Sequence, residues 1–209
     1  MARYTGPVVR LYRREGKNLH LKSARSAAQR RAMDQINTPP GQHGKTNSKL
    51  STYGVQLREK QSLRRIYGVL ERQFRRYVEK CERWRGVSGH VLLQLLESRL
   101  DNLVYRAGFA CTRAQARQFV SHKHIMVDGE VINIPSYHVK PGSVITVTES
   151  AKSLKYVLEN LEYAKSTGRK GWIDWNEESL TAKYVQVPER DQLDDIDVRE
   201  QMIIELYSK

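Results

Sequence analysis

The chain has 209 residues, with 36 Lys and Arg against 23 Asp and Glu, a net charge of +13 and a pI near 9.8. Its hydrophobic fraction of 39% supports a real core and argues against wholesale disorder. The basic excess favours nucleic acid or an anionic membrane as partner, and no apolar run approaches the roughly 18 residues that a membrane span needs.

That excess is confined to the first part of the chain. Residues 1–85 carry 21 Lys and Arg against 6 Asp and Glu, whereas the remainder carries 15 against 17. Such asymmetry points to a dedicated binding region. The opening, MARYTGPVVRLYRREGK, lacks the apolar stretch of a secretory signal. Cys81 and Cys111 have no nearby partner cysteine, which fits a reducing compartment and packing roles rather than nucleophiles.

Residues 1–45 are rich in Arg, Lys, Gln, Gly and Pro with little sustained periodicity, and read as an extended basic arm. The arm is too polar to fold well alone and is expected to take its order from RNA. Arg3, Arg10, Arg13, Arg14, Lys22, Arg25, Arg30 and Arg31 would supply its phosphate contacts. NTPPGQHGKTNSK, residues 37–49, is a turn-forming linker whose backbone can approach phosphate closely, with Gln42 and His43 as donors and Lys45 and Lys49 as cations. A plain interdomain turn is the alternative. In YGVQLREKQ, Gln56, Arg58, Lys60 and Gln61 mix amide donors with cations, a combination suited to RNA backbone and groove edges, and Tyr53 is counted with them as an RNA contact.

QSLRRIYGVLERQFRRYVEKCERW reads as one strong helix. Leu63, Ile66, Tyr67, Leu70, Phe74, Tyr77, Val78 and Cys81 recur at three- and four-residue steps, with Gly68 as a weak spot and Gly86 and Gly89 ending it. Arg65, Arg72, Arg76 and Arg83 form a second stripe on the opposite face, either a solvated surface or an RNA contact. HVLLQLLESRLDNLVYRAGF reads as two short helices with Leu92, Leu93, Leu96, Leu100, Leu103 and Val104 inward, the second closed by Gly108. Thr112 is placed to cap the next helix, with Gln115 completing a capping box. That helix carries Arg113, Gln115 and Arg117, and His122 and Lys123 follow at the turn; periodicity alone divides evenly between a solvated face and a phosphate grip.

HIMVDGEVIN has the Asp128-Gly129 hairpin signature. YHVKPGSVITVT predicts another pair of short strands around Pro141-Gly142, residues 151–166 a helix, and WIDWNEESLTAKYVQVP a short helix with a strand. The acidic tail ends in Met202, Ile203, Ile204, Leu206 and Tyr207, a run expected to pack back on the helical region. Trp84, Trp172 and Trp175 could stack on bases, although packing is the commoner use of tryptophan.

Several stretches carry a family resemblance. Arg99-Leu100-Asp101, Arg113 to Gln118, Met126 to Gly129 and Pro135 to Ser143 closely resemble the small RNA-binding module of many translation and RNA-modifying proteins. Pro39 to Gly44, Tyr53 to Gln61, Tyr67 to Phe74, the opening RYTGP and the tail EQMIIELYSK look like the ribosomal protein S-four family. The module implies RNA held across two helices and a turn, with Arg113, Gln115, Arg117, His122 and Lys123 on the binding face.

The family resemblance implies an α+β fold in three parts: an extended basic arm (1–45), a helical domain (46–97 with 176–209), and an inserted module of helices on a small antiparallel sheet (98–175). It further implies a structural, non-enzymatic component of the small ribosomal subunit in the cytoplasm or a plastid. Such a protein binds the 5′ domain of small-subunit rRNA, nucleates assembly of the subunit body and influences decoding accuracy. Some family members also repress their own messenger RNA. Small-subunit protein five and mRNA near the channel through which it enters are further implied partners; no membrane is. Many bacterial members hold zinc through cysteines in the arm. Here Val9 and Tyr12 stand in the paired positions and the arm has no cysteine, so neither zinc nor another cofactor is expected. The alternative is an RNA-modifying enzyme or RNA chaperone carrying the same module, the enzyme needing a separate catalytic domain.

Overall fold

The computed structural model describes residues 4–44, 49–84, 86–152, 155–167, 170–176 and 179–208. The chain divides into two compact units, Met1–Leu93 with Asp194–Lys209, and Gln94–Leu193.

In the first unit the basic arm is folded rather than extended. Helix α1 (Val8–Glu15) packs on α2 (Ala27–Asp34) around Tyr12, Leu19 and Ala32, all closed from solvent. The Tyr12 hydroxyl donates to Gln29 Oε1 at 2.7 Å and accepts from the backbone N–H groups of Leu21 and Lys22 at 2.6 and 3.1 Å. Gln29 donates in turn to Asn18 Oδ1 at 3.1 Å. One buried, fully bonded hydroxyl thus organises a segment whose composition suggested no core, because a few well-placed apolar groups suffice where the polar ones bond to each other.

The long helix expected across Gln61–Trp84 is two helices. Ser51 caps α3 (Thr52–Ile66), accepting from Gly54 N–H at 3.1 Å. At its end Gly68 takes φ +63°, with its N–H on Arg65 O and that of Val69 on Arg64 O, both at 3.0 Å. This is the paired-bond stop that a glycine in left-handed conformation permits. Helix α4 (Glu71–Cys81) then begins afresh, burying Phe74, Tyr77, Val78 and Cys81. The apolar period runs on through the break because Tyr67 and Val69 are buried as well. The tail forms α10 (Glu200–Tyr207), packed on α3 as the apolar run predicts, with Ile203 fully buried.

Helix α5 (Ser88–Glu97) carries the division between the units, and α6 (Leu100–Arg106) and α7 (Arg113–Ser121) follow. All six apolar positions expected inward there are buried. Thr112 caps α7 by accepting from Gln115 N–H at 3.2 Å, but the Gln115 side chain reaches Cys111 N–H at 2.9 Å instead of closing the reciprocal box.

Among the described residues, five strands form one antiparallel sheet in the order β2-β1-β3-β5-β4. They are β1 (Ile125–Val127), β2 (Glu130–Val131), β3 (Val144–Val147), β4 (Ile173–Asn176) and β5 (Thr181–Tyr184). Asp128 and Gly129 turn β1 into β2 with φ of +51° and +87°, both positive as the tight hairpin requires. Two strand expectations fail. Around Pro141-Gly142 only β3 forms, since His138 makes an isolated bridge to Arg99 and β3 finds its partners in β1 and β5. The described part of WIDWNEESLTAKYVQVP is a hairpin of β4 and β5 without the expected helix, because Ile173, Ala182 and Tyr184 turn inward from paired strands. Helices α8 (Glu149–Lys152) and α9 (Lys155–Thr167) lie between β3 and β4.

Candidate nucleic-acid interface

In the first unit two carboxylates, Glu15 and Glu59, turn inward, while most of the cations turn outward. Glu15, at the end of α1, has a fully buried side chain. It accepts from Arg58 at 3.1 Å, from Ser62 at 3.3 Å, and from Arg65, all three on α3. Burial pushes the Glu15 carboxyl above its ordinary range, opposed by the charges of Arg65 and Arg58; burial likewise lowers Arg65, opposed by Glu15. Glu59, also buried, accepts from Lys17 at 2.9 Å and from the Arg199 backbone N–H at 3.1 Å. With both acids enclosed, Arg10, Arg14, Lys22, Arg25, Arg30 and Arg31 remain exposed on the arm, as do Arg72, Arg76 and Arg83 on and just beyond α4.

Between α1, α3 and the PPGQHG turn lies a cleft of about 1180 Å³ lined by Arg14, Gln42, His43, Arg58 and Arg65 among others. Arg13 holds this turn by donating to Thr38 O at 2.8 Å and to Pro39 O at 3.2 Å. Gly44 closes it: a Cβ there would stand 2.0 Å from Pro39 O. Gln42 and His43 are thereby exposed at the rim, while Lys49 and Tyr53 are exposed at the start of α3.

Not every expected contact residue reaches the surface. Gln56 is buried and donates to Glu205 at 3.1 Å; Lys60 is buried and donates to Glu71 at 2.9 Å. Gln61 is half-buried and accepts from Arg64 at 2.7 Å. Arg65 is not part of the α4 stripe, because the stop at Gly68 turns α3 away from it and toward Glu15. Arg3 and Lys45 lie outside the described residues.

The second unit carries its own network. Glu97 is closed from solvent and accepts from Arg106 Nε and Nη2 at 3.0 and 2.9 Å and from Asn102 at 2.8 Å. Asn102 accepts in turn from Arg113 Nε at 2.8 Å, and the Arg113 guanidinium stacks 4.5 Å from the Tyr105 ring centroid. Arg113 is therefore buried beneath the face on which the module's pattern placed it. Asp101 accepts from Arg99 at 3.0 and 2.6 Å, with Arg117 Nε 3.6 Å away at the half-buried edge. What stays open is the surface of α7 and the turn after it: Gln118, Ser121, His122 and Lys123, with Gln115 half-buried alongside. Lys123 has φ +63°, which turns the chain from α7 into β1.

Sequence reasoning gave no supporting role to Tyr12, Glu15, Glu97 and Asp101, since a polar residue gives no local sign of being buried. It also passed over the exposed Arg75 and Lys80, which extend the α4 cations. Among the described residues, no group of His, Cys, Asp and Glu could hold a metal ion, and no helix is long and apolar enough to cross a membrane.

Residues 3–97 match the family described as ribosomal protein S4/S9 N-terminal domain, and residues 98–145 match the S4 domain. The chain is 52% identical over 209 residues to the small ribosomal subunit protein uS4 of a Neisseria meningitidis serogroup C strain, with both chains covered completely. The protein of that name from Chromobacterium violaceum is 52% identical over 209 residues, and that from Natranaerobius thermophilus 51% over 210, again across the whole of both chains. Identity of about half over the full length of both chains, with the two family matches, shows that the chain belongs to the uS4 family of small ribosomal subunit proteins.

Proposed function

We infer that this protein is an rRNA-binding structural component of the small ribosomal subunit. The carrying observation is the sorting of charge in the first unit: Glu15 and Glu59 are enclosed in ion pairs while arm and α4 cations stand exposed. Cations that stand exposed along a surface are what binding to a phosphate backbone requires. The surface proposed for RNA comprises Arg10, Arg14, Lys22, Arg30 and Arg31 on the arm, Gln42, His43, Lys49 and Tyr53 around the turn, and Arg72 and Arg76 on α4. In the module it comprises Gln115, Arg117, His122 and Lys123. Arg13, Gln56, Lys60 and Arg113 are assigned to shaping that surface, with Arg58, Gln61 and Arg65 at its half-buried margin.

The finer reading is of a primary binder of the 5′ domain of small-subunit rRNA that nucleates the subunit body and contributes to decoding accuracy. Its neighbours would be small-subunit protein five and mRNA at the channel through which it enters. Its bacterial relatives favour a cytoplasmic ribosome. The competing reading, an RNA-modifying enzyme built on the same module, is not favoured, because residues 3–97 match a ribosomal N-terminal family and the full-length relatives are ribosomal proteins.

Titration of the purified protein with transcribed 5′-domain rRNA, against a structured RNA of equal length and across salt concentrations, tests this. A preference for the rRNA that survives rising salt supports a shape-specific clamp. Equal binding that collapses together for both RNAs sinks it.

A further inference from the structure

On α4, residues four apart stack along one ridge. The row Arg72, Arg76 and Lys80 is exposed throughout. The same step reaches Trp84, whose backbone N–H bonds to Cys81 O at 3.2 Å in the turn that follows the helix. The indole is 53% exposed, and Lys80 Nζ lies 5.6 Å from its ring centroid, which fixes Trp84 at the end of that cationic ridge. Of the two other tryptophans, Trp172 is buried in the core of its unit and Trp175 is half-buried against Phe109, 5.2 Å between ring centroids. Trp84 alone of the three stands open to solvent.

A large exposed indole needs a reason, because leaving it in water forfeits the burial that is its main contribution to stability. We propose that Trp84 is a stacking platform for an unpaired base of RNA, with Arg72, Arg76 and Lys80 tracking the phosphates that lead to it. Aromatic platforms at the end of a positive track are how single-stranded or looped RNA is held, since every base has a face to stack while its backbone pairs with cations. A protein partner would also accept an exposed indole, but a ridge of three cations leading to it suits a phosphate backbone better. With Lys80 on one face of the ring, the base takes the other, and the ammonium stays within reach of the adjoining phosphate. The acids of this helix and its cap are Glu71, paired with Lys60 and Arg64, Glu79, paired with Arg75 at 3.2 Å, and Glu82; the paired ones are partly neutralised, while the exposed Glu82 marks the side the backbone would avoid. The proposal rests on the rRNA reading above and adds a contact of a different kind, to a base face rather than a phosphate.

Binding of the full chain, Trp84→Leu and Trp84→Phe to the 5′-domain rRNA tests it, together with tryptophan emission during the same titrations. Loss of the ring is expected to weaken binding about five- to a hundredfold in Trp84→Leu, with most of the affinity kept by Trp84→Phe. Emission of the native chain should fall on RNA addition, and that fall should be missing in Trp84→Phe. Native affinity in Trp84→Leu, equal losses in both variants, or emission unchanged by bound RNA would each overturn the platform while leaving the rRNA reading intact. If the native chain shows no preference for the 5′ domain, the rRNA reading fails first and the platform with it.

Discussion

Replacing Glu97 with Ala would leave Arg106 and Arg113 facing an interior stripped of its carboxylate. Glu97 is fully enclosed and bonded to Arg106 at two points and to Asn102, so the loss should be about 3–5 kcal/mol, read as a lowered denaturant midpoint. Lys123→Ala makes the opposite case. The side chain is exposed at the turn after α7, so stability should stay within about 0.5 kcal/mol. If Lys123 grips one phosphate, the slope of log affinity against log salt should shallow by about 0.7–0.9. A pattern search cannot separate these two kinds of charge, because Arg113 and Lys123 look equally basic in the sequence while one is stacked on Tyr105 and the other open to water. That division, more than the choice of residues, is where the candidate interface escaped the sequence.

In the contact of α10 with α3 and α4, the Tyr207 hydroxyl donates to Glu71 at 2.6 Å and Lys60 donates to the same oxygen at 2.9 Å. Burial alone would raise the Glu71 carboxyl, but the bonds from Tyr207 and Lys60 and the charges of Lys60 and Arg64 outweigh it and hold Glu71 below its ordinary 4.5. A depressed folded value means stability present above pH 4.5 and lost as pH falls through the depressed one. Tyr207 is raised, chiefly by burial and then by Glu71, so its contribution is present below its ordinary 10.0 and is lost at higher pH. Tyr207→Phe should cost about 1–2 kcal/mol, the smaller part of the usual range because the Glu71 side chain is 45% exposed. It should also blunt both the acid and the alkaline limb of a stability profile followed by circular dichroism. At the stop that ends α3, Gly68→Ala should cost about 1–2 kcal/mol, since an alanine must then hold φ +63°. If the variant melts like the native chain, the stop at Gly68 is not what divides α3 from α4.

For the whole molecule, the absence of cysteine from the arm turns attention from metal to packing. Tyr12 with its three hydrogen bonds organises the segment between α1 and α2. Thermal unfolding followed with and without a strong chelator should therefore give the same Tm, and a fall on chelation would show a metal contributing to the fold. Tyr12→Phe, by contrast, should loosen the arm, because Leu21, Lys22 and Gln29 lose their shared partner.

Much of this was legible along the chain. The inward leucines of α5 and α6, the Thr112 cap, the Asp128-Gly129 hairpin and the packing of the apolar tail follow from local rules of period, capping and turn chemistry, which act over a few residues and survive any tertiary setting. The basic first part of the chain, with the motifs that carry the family resemblance, is equally a property of residue order. Only the tertiary structure decided the rest. Gly68 could have been a tolerated flaw in one helix; with Tyr67 and Val69 both buried it became a stop, and Arg65 passed from the α4 stripe to Glu15. Strand β5 joined the sheet by pairing with β3, and β4 by pairing with β5; the first of these pairings is between distant segments and leaves no local period to read. The arm folded because burying Glu15 against Arg58 and Arg65 offsets the self-repulsion that its composition announces. Whether a charge faces water or an opposite charge depends on which segment arrives beside it, and that is set by the packing of the whole unit.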